Sequence, residues 1–195
     1  MASIGNLNIA PTEPVDTTSA YPAAGRRFPN RGWYTLRTTD AFAPESFVPN
    51  KAGTALTFQI DPTVVGPTSE GYQLKFNSGR ISAKTYQRTD KAGRSVTVSQ
   101  LSDFLKAAGY SGVVPGDAQS QADLVESMAG KSFEALLDWR AWDPAAQREI
   151  SGMENFPTDG NGGYQPYVFS DTETDDEGKP KRIWANIEIV RFKTR

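Results

Sequence analysis

Arg80-Ile81-Ser82-Ala83-Lys84-Thr85-Tyr86-Gln87-Arg88 alternates along its whole length. Successive strand residues point to opposite faces, so Ile81, Ala83 and Thr85 are expected to face a core. Arg80, Ser82, Lys84, Tyr86 and Arg88 then share the other face. Asn77-Ser78-Gly79 just before it is a turn signal, and Tyr72, Leu74 and Phe76 before that form a third period-two run. Two more runs lie upstream. Trp33 to Arg37 puts Tyr34 and Leu36 on one face, and Ala55 to Ile60 does the same with Leu56, Phe58 and Ile60. Four short strands joined by turns predict an antiparallel meander.

Downstream the period changes to that of a helix. Thr97 with Gln100 fits a capping box; Leu101, Phe104, Leu105 and Ala108 form one stripe, and Gly109 stops it. Ser120 with Asp123 opens a second helix carrying Leu124, Val125 and Met128, ended by Gly130. Phe133, Ala135, Leu137 and Trp139 then alternate as a fifth strand, and Ile183, Ala185, Ile187 and Ile189 as a sixth. The polar stretch between them, about 143–181, predicts a long β-hairpin insertion with Tyr164, Tyr167, Val168 and Phe169 on its ordered side. The expected fold is mainly β with two short helices (α+β): an OB-like, partly open antiparallel barrel, with a helix-flanked β-sandwich as the competing architecture. Residues 1–30, rich in Pro, Thr, Ser and Ala without apolar periodicity, predict an extended or disordered N-terminal arm ahead of a domain at 31–195.

Composition removes whole classes of chemistry. The chain has no His and no Cys, so it has no disulfide framework, no thiolate zinc site, no imidazole base and no Ser-His-Asp triad. No phosphate-binding loop or nucleophile elbow is present. The acidic run Asp171–Glu177 lacks the Gly and Glu of a calcium loop. Asp138, Asp143, Glu149 and Glu154 follow no metal-binding spacing. The expectation is a non-enzymatic protein without a cofactor or metal. No apolar run is long enough for a membrane helix, and no secretion signal opens the chain, which predicts a soluble, cytoplasmic protein.

Charge is strongly segregated. Residues 26–106 hold 12 basic and 6 acidic residues, 117–177 hold 3 and 14, and 179–195 hold 6 and 1. A basic face can therefore coexist with the net charge of −2, because fields decay over roughly 8 Å at physiological salt. Arg80, Lys84 and Arg88 around Tyr86, extended by Lys91 and Arg94, are the ingredients of a single-strand groove: cations track phosphates and the ring stacks a base. Arg26, Arg27, Arg31 and Trp33 form a second basic and aromatic group. Trp184, opposite Ile183 and Ile187 and beside Arg182, is a further stacking candidate, whereas Trp139 shares the core parity of Phe133 and Leu137.

Four segments carry a resemblance. They are Gly32-Trp33-Tyr34, Leu101-Ser102-Asp103-Phe104-Leu105-Lys106-Ala107-Ala108-Gly109, Leu124 through Ala129-Gly130-Lys131, and Ala185-Asn186-Ile187-Glu188-Ile189-Val190-Arg191-Phe192. Together they resemble phage and prophage proteins regarded as OB-fold, single-stranded-DNA-binding-like. The resemblance implies a role in phage DNA replication or recombination, near a single-stranded intermediate, with replication or recombination proteins as partners. Several proteins of that group carry a cysteine-containing zinc ribbon where this chain has Ile150 to Arg182; with no cysteine, no zinc is implied here. The expected ligand is single-stranded DNA, with RNA and self-association left open. The alternative class is a structural or interaction protein of a phage particle, whose arm and hairpin would reach onto neighbours.

Overall fold

The computed structural model describes residues 28–43, 46–49 and 55–194. Its first strands are β1 (Gly32–Arg37), β2 (Phe47–Pro49), β3 (Leu56–Gln59), β4 (Thr63–Gly66), β5 (Arg80–Ser82), β6 (Thr85–Thr89) and β7 (Ser95–Ser99). Helices α1 (Gln100–Ala107) and α2 (Ala118–Glu126) follow. The chain closes with β8 (Ser132–Asp143), β9 (Arg148–Ser151), β10 (Tyr167–Thr174), β11 (Pro180–Trp184) and β12 (Asn186–Phe192). The protein is mainly β with two helices, and every strand pairing among the described residues is antiparallel.

β8 organises the body. Phe133, Ala135, Leu137, Trp139 and Ala141 alternate along it and are all buried. Each large side chain removed from water contributes about 1.5–3 kcal/mol, so one face of this strand is a main source of cohesion. Leu137 pairs with Gly32 of β1 on one side and Ile189 of β12 on the other. Arg140 pairs with both Asn186 and Ser151, which puts β9 beyond β1 on the edge opposite β12. β4 closes the far side of β1. Against the buried face pack Phe58 of β3, Ile81 of β5, Leu74, and the α1 stripe Leu101, Phe104 and Leu105, with Phe104 edge-on to Phe133 and Phe192. Among the described residues no sheet closes on itself; β2–β3–β5, β6–β7 and β10–β11 are separate small sheets.

Several expectations are corrected. The single strand over 80–88 is two, in different sheets. Side chains break it: Gln100 Oε1 accepts the Ser82 N–H at 2.8 Å, and Ser82 Oγ accepts the Lys84 N–H at 3.1 Å. Thr85, expected inside, is exposed. The third strand reduces to a bridge, Thr63 with Gln73, beside the unforeseen β4, although Leu74 is buried as expected. Thr97 lies in β7; the α1 cap is Ser99, whose hydroxyl accepts the Ser102 N–H. Gly109, at φ +96°, ends that helix as read. α2 starts earlier than expected, capped by Asp117.

The insertion is two hairpins, β8–β9 and β10–β11, and the sixth strand is two, β11 and β12, separated at Ala185. Residues 28–30, read as the end of the arm, pack on the body. Phe28 meets Tyr72 and Trp139 edge-on, and Trp139 Nε1 donates to the Pro29 carbonyl at 2.7 Å. Residues 1–27 of the arm lie outside the described residues.

Candidate nucleic-acid interface

β6 and β7 form a hairpin in which β6 is exposed throughout and Val96, Val98 and Ser99 of β7 are half-buried. Asp90 builds its tip: Oδ1 accepts the Ala92 and Arg94 N–H groups, and Oδ2 pairs with Arg94 at 2.8 Å. The Arg94 backbone and side-chain donors, helped by Ala92 and the charge of Arg88, hold the Asp90 carboxyl below its usual range. In the ladder Tyr86 faces Val98 and Arg88 faces Val96, so these four share one side of the hairpin. That side looks into a groove of about 860 Å³, with Lys84 at the base of the hairpin and Val190 and Arg191 of β12 across from it. Tyr86 is 55% exposed and Val190 is 56% exposed.

The groove's charges separate into satisfied and unsatisfied groups. Of its three carboxylates, Asp138 is buried, accepts the Met153 N–H at 2.9 Å and pairs with Arg31 at 3.4 Å. Glu188 pairs with Arg140 at 2.9 Å. Asp103, in the first turn of α1, has no ion-pair partner among the described residues but sits where the helix dipole favours an anion. Lys84, Arg88 and Arg191 have no ion-pair partner among the described residues. Three cations without an ion-pair partner among the described residues thus line the groove with one carboxylate that also lacks one. An anion that also offers flat apolar surface matches this wall, because Tyr86, Val96, Val98 and Val190 supply the apolar part.

The structure brings together Lys84, Tyr86 and Arg88 among the residues singled out in the sequence, with Lys91 and Arg94 in the turn at the hairpin tip. It separates others from them. Arg80 lies in β5, donates to Gln59 Oε1 at 3.0 Å and does not line the groove. Arg31, expected to clamp a strand, pairs with Asp138 and with Glu154 at 3.0 Å and so fastens the start of β1. Trp33 stands on the outer face of β1, 42% exposed and away from the groove. Trp184 is half-buried and packs edge-on to Tyr167 at 4.8 Å, in a cluster where Arg182 covers the Tyr167 ring. Arg26 and Arg27 lie outside the described residues.

Arg191 was missed. Strict alternation from Ile187 and Ile189 turns it inward, but a bulge between Ile189 and Arg191 leaves both Val190 and Arg191 exposed. No group of metal-ligating side chains occurs among the described residues, and no helix there is long and apolar enough to cross a membrane. No family model matches the chain, and no curated protein or solved structure shows significant similarity to it.

Proposed function

We propose that this protein is a non-enzymatic, sequence-tolerant binder of single-stranded DNA, built on an OB-like body. The supporting observation is the open side of the β6–β7 hairpin, where Lys84 and Arg88 flank an exposed Tyr86 above a groove whose far wall carries Arg191. Cations spaced along an open groove track a flexible phosphate chain, and an exposed ring stacks any base, which gives affinity without sequence readout. A duplex presents its bases only as edges, so the ring favours unpaired strands. The OB-like assignment draws on the antiparallel sheet β12–β8–β1–β4 and the core between it and α1. The resemblance to phage proteins suggests a working place beside the single-stranded intermediates of phage replication or recombination.

The test is a titration of labelled oligo-dT against the wild type and a Lys84→Glu/Arg88→Glu double variant. Reversing two phosphate contacts is expected to weaken binding by at least about tenfold at moderate salt. Unchanged affinity in the variant overturns the site, and no binding by the wild type at low salt overturns the function.

A further inference from the structure

A second cavity, of about 410 Å³, opens on the same outer sheet face. Its walls include Lys75, Arg140, Trp142, Glu149, Asn186 and Glu188. Glu188 also lines the hairpin groove, so the two adjoin along β12. From Arg191 to Asn186 the strand covers about 17 Å at roughly 3.3 Å per residue, a reach of a few nucleotides. Trp142 follows Arg140 on the outward parity of β8 and is 53% exposed, while Trp139 and Ala141 between and beside them are buried.

The charges here are arranged differently from those of the groove. Arg140 bridges the carboxylates of Glu149 and Glu188, and the Ser151 hydroxyl also donates to Glu149. The Ser151 and Arg140 contacts hold the Glu149 carboxyl below its ordinary range. Glu149 and Glu188 together offer acceptor oxygens, which suit an N–H donor on a base edge, the N3–H of thymine included, and repel a phosphate. Lys75, on the rim, has no side-chain partner among the described residues and is the cation available for the phosphate of the same nucleotide.

We infer that the Trp142 pocket is a second base-stacking station, taking one nucleotide of the single strand that continues out of the hairpin groove. This rests on the nucleic-acid reading above. The strand follows the outward side chains of β12, one of its bases lies on the Trp142 ring and its phosphate meets Lys75.

The test compares oligo-dT of about four and about twelve nucleotides, within the roughly 4–16 spanned by one such domain. It uses the full chain with Trp142→Ala and Trp142→Phe. Loss of one stacked base predicts about a tenfold weakening of the longer oligonucleotide in Trp142→Ala, none of the shorter, and near-complete rescue by Trp142→Phe. Equal affinity of Trp142→Ala for the longer probe overturns the inference and leaves the groove standing. Equal losses on both lengths, or failure of Phe to rescue, also overturn it, because they mark a structural role. If the wild type binds neither probe at low salt, the nucleic-acid reading falls first and the pocket with it.

Discussion

Tyr72 and Tyr86 carry the same side chain into opposite surroundings. Tyr72 packs against Phe28, and burial pushes its hydroxyl up to about 12. An unfolded tyrosine ionises near 10, so between about pH 10 and 12 the unfolded chain loses a proton that the folded chain keeps. The difference favours unfolding as pH rises: stability held below pH 10 is lost through the folded value, up to roughly 2–3 kcal/mol from this group. Urea unfolding at pH 9 and pH 11.5 checks it, and Tyr72→Phe is expected to remove a corresponding part of the alkaline loss. Tyr86 gives its ring to water. Tyr86→Ala is expected to weaken oligo-dT binding by about tenfold with no change in melting temperature, while Tyr86→Phe, which keeps the ring, stays close to wild type. Parity was legible at this scale: Tyr34 and Leu36 inward, Trp33 outward, Trp139 in the core. The partners of Arg31 and Arg80 were not legible. Asp138, Glu154 and Gln59 lie far from them in sequence, and only the fold brings them within reach.

Elements were legible where one apolar period persists, as along β8 and α1, and illegible where a side chain interrupts a ladder. Gln100 illustrates this. Its spacing from Thr97 matches a capping box, yet its carbonyl oxygen accepts from Ser82 and ends β5, while Thr97 pairs with Gln87 in the hairpin. The cap falls to Ser99, which accepts the Ser102 N–H at 3.2 Å. Ser99→Ala is therefore expected to cost about 1 kcal/mol of stability, and Thr97→Ala, on an exposed strand, within about 0.5 kcal/mol of nothing. Thermal unfolding of the two variants decides between the caps; a larger loss at Thr97 contradicts the structure. The hairpin itself had a signal in Asp90-Lys91-Ala92-Gly93, where Asp90 binds the turn backbone and Gly93 takes φ +77°. Ser95-Val96-Thr97-Val98-Ser99 was legible as a strand by its β-branched alternation, but the capping-box spacing competed with it.

Across the whole molecule, the segregation of charge along the sequence carries over only partly into space. Acidic residues of the second half do reach the basic ribbon: Asp138 and Glu188 line the groove. They arrive paired with Arg31 and Arg140, two cations that the sequence offers equally well to a ligand. What faces an incoming anion is the remainder, Lys84, Arg88 and Arg191, with Lys91 at the hairpin tip. Four phosphate contacts predict that log affinity falls with log salt at a slope of about −3, from roughly −0.7 per contact on a single strand. The most direct test is a fluorescence titration of oligo-dT by the full chain at several salt concentrations. The account predicts measurable binding at low salt with that slope, made shallower in the Lys84→Glu/Arg88→Glu variant. Absence of binding at low salt, or affinity indifferent to salt, contradicts it.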